Sequence, residues 1–152
     1  MSLYTGDPLT EESDKVVKLV LLFRYAPDRP REESEQHYLT FHTTKALELF
    51  KELPGFLKYV QNRVVRHMEF RNNTQPGVEV EPAYDRSIEL FFTDAEAMNE
   101  CLNHPVLREL WDDHPNFMDC GPLTQDVYEL EEVVQAVRGP DGSFYQRVAP
   151  SS

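Results

Sequence analysis

The chain has 152 residues, 40% of them hydrophobic, and carries a formal net charge of −12 with a sequence pI near 4.8. That length suits one domain with a sizeable core, and the acidic balance argues against a nucleic-acid partner and against docking on anionic lipid. The longest apolar run, 16–23, is interrupted by Lys18 and falls far short of the ~20 residues a membrane span needs.

Residues 1–14 are polar, include Gly6 and Pro8, and read as a poorly ordered leader with no signal-peptide pattern. The expected localisation is cytoplasmic, with no membrane partner. Residues 16–25 are apolar at nearly every position, which predicts a strand covered on both faces. Pro27-Asp28-Arg29-Pro30 ends it in a turn.

From about Arg31 to Leu53 the period becomes helical. Leu39, His42, Ala46, Leu49 and Leu53 step by three or four and form one stripe, and Pro54-Gly55 stops the helix. Phe56 to Phe70 alternates as one long second strand, with Val60, Asn62, Val64 and Met68 on one face and Tyr59, Val65 and His67 on the other. Residues 71–83, with Asn72-Asn73, Pro76-Gly77 and Pro82, read as a loop.

The third strand runs from Tyr84 to Phe92. Thr93-Asp94-Ala95-Glu96 reads as a capping box, opening a helix that buries Ala97, Met98, Cys101 and Leu102. Pro105 starts a second short helix carrying Val106, Leu107, Leu110 and Trp111, and His114-Pro115 closes it. Leu123 to Val137 is the fourth strand. Gly139-Pro140-Asp141-Gly142 then turns the chain into a short extra strand or arm containing Phe144, Tyr145 and Val148.

The order is β-α-β-β-α-β, an α+β ferredoxin-like split βαβ with an antiparallel sheet. Residues 15–135 form the expected domain, and 136–152 are an extension able to pack on a partner subunit. Both helices take one sheet face. The other carries apolar residues with nothing left in the chain to cover it, so a homodimeric α/β barrel is expected.

Several residues are candidates for chemistry. His37 and His42 lie five apart, about 140° around an α-helix, and are not expected to share a ligand. There is no His-x-x-x-His pair and no carboxylate spacing suited to a metal, so neither metal nor cofactor is expected. Cys101 and Cys120 make neither a disulfide framework nor a zinc signature, and at least one belongs in the core.

His42 interrupts an apolar stripe, with Tyr38 one turn before it. It is either a core histidine satisfied by one hydrogen bond or an imidazole lining an apolar cavity. In the second case burial lowers its pKa and suits it as a general base. Tyr59, Asn62 and His67 are candidates to orient a ligand, or else sheet and edge residues. Tyr59 and Asn62 differ in parity, so both could serve one cavity only across a bulge. Asp85 and Glu89 share parity and are either an acid/base pair or structural, one of them capping the strand end or pairing with Arg24 or Arg86. Phe23, Phe92 and Trp111 are core residues or walls of an apolar pocket.

These residues, taken in order, resemble the EthD family. The stretch Val17–Tyr25, the Pro-rich turn and Tyr38-Leu39-Thr40-Phe41-His42 resemble its opening strand and helix. Residues 55–62 and Tyr84-Asp85 through Phe92 are similar to its second and third strands, and Asp113 to Phe117 with Asp119 to its positions before the last strand. The resemblance spans about residues 16 to 131 and implies a homodimer with an apolar cleft between helices and sheet in each subunit, into which His42 points. The expected function is binding of a small apolar, aromatic or polyketide-like compound, with cofactor-independent acid/base chemistry (isomerisation, cyclisation, dehydration) or oxygenation. His42 would be the acid/base, with Tyr38, Tyr59 and Asn62 placing the substrate. A non-catalytic accessory protein of an ether-degrading oxidoreductase system, and a haem-binding relative, are the alternatives.

Overall fold

The structure, a computed structural model, describes residues 17–73, 77–121, 125–132, 134–138 and 140–148. The leader expected over 1–14 lies outside them, as do Val16, Leu123 and residues 149–152. Strands β1 (Val17–Phe23), β2 (Phe56–Arg63), β5 (Arg86–Phe92) and β6 (Gln125–Glu131) make one sheet in the order β2-β5-β1-β6. Every neighbouring pair is antiparallel. This is the expected ferredoxin-like α+β arrangement.

One sheet face is packed. Alternate residues Arg86, Ile88, Leu90 and Phe92 of β5 are buried toward the helices, as are Val17, Leu19 and Phe23 of β1. The opposite face of β1, with Val20 and Leu22, is only half-buried. Two-sided coverage of β1 is therefore not met within one chain.

The first helical segment is continuous but not uniform. It comprises α1 (Arg31–His37), a π-helical turn over Tyr38–His42, and α2 (Thr43–Lys51). The Thr43 N–H bonds the Tyr38 carbonyl five residues back, and the Thr43 hydroxyl donates to the same oxygen at 2.7 Å. Thr40 and Thr44 hydroxyls likewise donate to carbonyls four residues earlier, the back-bonding that loosens a helical ladder. The inserted residue shifts the buried stripe. Tyr38 and His42 are buried, whereas Leu39 is exposed, because the expected stripe assumed 3.6 residues per turn throughout. At the turn after α2, a Cβ on Gly55 would meet the Ala97 Cβ at 2.3 Å, so only glycine lets the start of β2 pass the helix that carries Ala97.

α3 (Ala95–Leu102) is capped one residue later than expected, with Asp94 accepting from the Ala97 N–H at 2.8 Å. It buries Met98 and Cys101, while Leu102 and Cys120 are exposed. α4 (Pro105–Asp113) begins with Pro105 as expected, and the His104 Nδ1 accepts from the Val106 N–H at 3.2 Å.

Two strands are shorter than their alternation suggested. The second ends at Arg63, and β3 (His67–Glu69) leaves the sheet to pair with β4 (Val78–Val80), inside the expected loop. The fourth ends at Glu131, and β7 (Val134–Arg138) pairs with β8 (Phe144–Val148) as a separate hairpin. A period of two continues through a change of partner, so alternation alone does not mark these breaks.

Candidate functional site

A cavity of about 70 Å³ lies between the helices and the packed face of the sheet. Leu21, Phe23, Ile88 and Leu90 form its floor, and Ala46, Phe50, Leu107 and Leu110 its helical walls. Phe117 closes one side, 4.7 Å from the His42 ring. That residue is held in place by the chain around it. The Ala26 N–H donates to the Phe117 carbonyl and the Asp119 N–H to the Arg24 carbonyl, both at 2.9 Å. Trp111, 46% exposed, stands at the rim.

His42 is buried in this cavity. Its Nδ1 meets the Asp113 Oδ2 at 3.0 Å, and the same carboxylate takes His37 Nε2 on Oδ1 at 2.8 Å. Asn116 donates to Oδ1 as well, at 2.9 Å. Two histidines that should sit on different faces of an α-helix thus share one partner. The π turn is the reason, because its wider i→i+5 winding brings residue 42 closer in angle to residue 37 than an α-helix would, near enough for the two oxygens of one carboxylate to reach both.

The electrostatics follow from burial. Desolvation pulls the His42 pKa below its usual value, against the pull of Asp113 toward the charged form. At Asp113 burial favours the neutral acid, but the hydrogen bonds from Asn116, His37 and His42 outweigh it and hold the carboxyl below the usual range. Near neutral pH the arrangement is a carboxylate accepting the Nδ1–H of an uncharged His42. Nε2 is then a bare base, with no hydrogen bond to any described residue.

Around this dyad, the Tyr38 ring stacks on His42 at 5.6 Å, and burial keeps its phenol neutral. Its hydroxyl is 3.4 Å from that of Tyr59, a long contact. Tyr59 is fixed by Gln61, whose amide donates to the Tyr59 hydroxyl at 2.6 Å and to Thr43 at 2.8 Å.

Of the residues anticipated from sequence, Phe23, Tyr38, His42, Tyr59 and Trp111 come together here. The others do not. Asn62 pairs across from Ser87, on the opposite sheet face from Tyr59, and bonds Ser87 and Glu89, each at 3.1 Å. The one register shift in β2 lies between Phe56 and Lys58, too early to turn Asn62 inward. Glu89 lies on that outer face with Lys18 at 3.5 Å. Asp85 accepts from the Tyr25 N–H and from Arg31, both at 2.8 Å, so it caps the end of β1 beside the start of β5, and its ionic partner is neither Arg24 nor Arg86. His67 lines a separate surface groove with Leu22 and Tyr84. Phe92 is core, edge-on to Phe56 at 5.7 Å.

Two lining residues carry polar groups that the sequence reading passed over, His114 and Gln125. His114 continues the α4 spacing three residues after Trp111, and its ring lies 5.4 Å from His42. Burial, reinforced by His42, pushes its pKa down to about 4. An unfolded histidine near 6.5 binds its proton first as pH falls, so the fold loses stability from pH 6.5 down to about 4 and no further from this group. The loss reaches up to about 3 kcal/mol at the low end. Thermal melts across this range should show a steep acid decline in the wild type and a shallower one in His114→Leu. Parallel declines would contradict the assignment.

Residues 26–121 match the EthD domain family. No protein of curated function matches the sequence. Among solved structures, a dimeric ferredoxin-like protein of unknown function from Jannaschia sp. CCS1 is similar at 14% identity, with 77% of this chain and 99% of that one covered and a TM-score of 0.56. An EthD family protein from Bacillus halodurans C-125 aligns at 18% identity over 78% and 99% of the two chains, with a TM-score of 0.52. SnoaB from Streptomyces nogalater, a cofactor-independent oxygenase, aligns at 15% identity over 76% and 91%, with a TM-score of 0.50. At these identities the neighbours speak to the fold, while the domain match spans well over half of the sequence: the chain belongs to the EthD family.

Proposed function

We propose that the cavity binds a small apolar, aromatic or polyketide-like compound and that His42 acts on it as a cofactor-independent general base. The observation that carries this reading is the Asp113-bound, uncharged imidazole inside an apolar pocket. Nε2 takes a proton from an activated carbon, and the electron pair stays on that carbon, delocalised into an adjoining carbonyl or ring. The Nδ1–H bond to Asp113 stabilises the imidazolium that results. Return of the proton to another carbon completes an isomerisation, its delivery to a leaving hydroxyl a dehydration, and attack of the carbanion on an internal carbonyl a cyclisation. Combination of the carbanion with dioxygen, forming a C–O bond and a peroxide that takes back the imidazolium proton, is the fourth outcome, and the description of SnoaB as a cofactor-independent oxygenase supports keeping it in this set.

All four begin with the same proton transfer, so solvent exchange tests them together. Aryl ketones incubated in D₂O should exchange their acidic C–H faster with the protein than in buffer. His42→Ala should lower that rate by about 10²–10⁴-fold while the circular dichroism stays native. Because only uncharged His42 accepts a proton, the rate should rise with pH and level off below 6.5, the usual histidine value. Exchange indifferent to His42→Ala would refute the base assignment.

The same reading includes a homodimer. The outer sheet face carries Val20, Leu22, Val60, Phe91, Tyr128 and Leu130, with Tyr128 54% exposed. Solved neighbours described as dimeric ferredoxin-like proteins support a homodimer, and this apolar face is the surface we assign to it. Analytical ultracentrifugation should give twice the chain mass for the wild type and a monomer for Tyr128→Arg with Leu130→Arg. A monomeric wild type would contradict the pairing.

A further inference from the structure

Among the described residues that line the cavity, one has a fully buried side-chain polar atom with no hydrogen-bond partner. Tyr59 is fixed by Gln61, and His42 Nδ1 by Asp113. Gln125 differs. It opens β6 opposite Phe23 of β1, which sets it on the helix-facing side of the sheet, and it contributes to the cavity lining. Its side-chain Nε2 is buried and has no hydrogen-bond partner. Among the described residues only the Ser34 hydroxyl shares that condition, and Ser34 does not line the cavity. A buried amide nitrogen without an acceptor is costly, so a ligand oxygen that reached it from the pocket would be favoured.

We infer that Gln125 is the anchor for a ligand oxygen, and that the pocket selects ring compounds bearing a carbonyl or phenolate oxygen over hydrocarbons of the same shape. This rests on the ligand-binding reading above and adds the chemical class. A hydrocarbon leaves the amide as unpaired as it was, whereas an acceptor oxygen satisfies it. Discrimination therefore falls on the oxygen rather than on size. The dimensions agree. A cavity of about 150 Å³ admits benzene, so the 70 Å³ here takes the oxygen-bearing end, and the remainder of the ligand extends toward the Trp111 rim. An oxygen held at Gln125 fixes one end of the ligand in the same cavity that His42 lines, which is what abstraction of a proton beside a carbonyl needs.

Acetophenone and α-methylstyrene have the same shape and differ in a carbonyl against a methylene. Calorimetric titration of the full-length protein should show acetophenone binding roughly fivefold to tenfold tighter, the effect of one ordinary hydrogen bond. Gln125→Leu should bring the ratio near one while α-methylstyrene still binds, which also reports an intact fold. Gln125→Glu, which replaces the donor nitrogen by a carboxylate, should abolish the preference too. Equal affinities in the wild type, or a preference that survives Gln125→Leu, would overturn the anchor and leave the pocket reading standing. Binding of neither probe by the wild type would overturn both.

Discussion

The Asp113 carboxylate is the constraint on which the rest of the site depends. It sits at the end of α4, buried, and accepts from two histidines of the facing helix and from Asn116. A buried carboxylate is tolerated only when its lone pairs are taken up, and here three nitrogens do so. The same bonds lock α4 to the first helical segment and orient the His42 ring. Structure and chemistry are therefore not separable at this residue. Removing the carboxylate unties two helices and also removes the group that holds His42 with Nε2 bare.

A second buried charge positions the helix from the other side. Arg86 of β5 is buried, donates to the Tyr25 hydroxyl at 2.7 Å and pairs with Glu35 of α1, which also meets Arg63. Its guanidinium lies 5.8 Å from the Tyr38 ring. Glu35 is held below the usual carboxylate range, first by its hydrogen bond from Arg63 and in part by the nearby Arg86. One residue of α1 thus pins the helix to the sheet, and His37 and His42 pin it to α4. The π turn lies between these attachments, where the helix must satisfy both registers at once. An extra residue in the ladder is a way to do so.

The order of the main strands and helices and the helix stop at Pro54-Gly55 were legible in the sequence because each rests on local period or turn chemistry. The pocket was legible in part. His42 and Tyr38 stood out as polar groups in an apolar stripe, and Phe23 and Tyr59 had the right parity. What stayed hidden depends on helix winding and on strand partners. A 3.6-residue period cannot show that residues 37 and 42 converge, and it assigns Leu39 to the core, where the structure leaves it exposed. An alternating strand cannot show that Asn62 and Glu89 face away from the helices, nor that the chain changes partner after Arg63 and Glu131. Gln125 resembled any strand polar residue. Its importance comes from lacking a partner, a property only the fold confers.

If Asp113 holds His42 as a neutral imidazole, the ring proton sits on Nδ1 and Nε2 is bare. Long-range ¹H–¹⁵N spectra of the imidazole, assigned by loss of the signal in His42→Gln, read both nitrogens directly. At pH 7 His42 should show a protonated Nδ1 and an unprotonated Nε2, persisting as the pH is lowered through 6.5. A proton on Nε2, or a doubly protonated ring at pH 7, would contradict that arrangement.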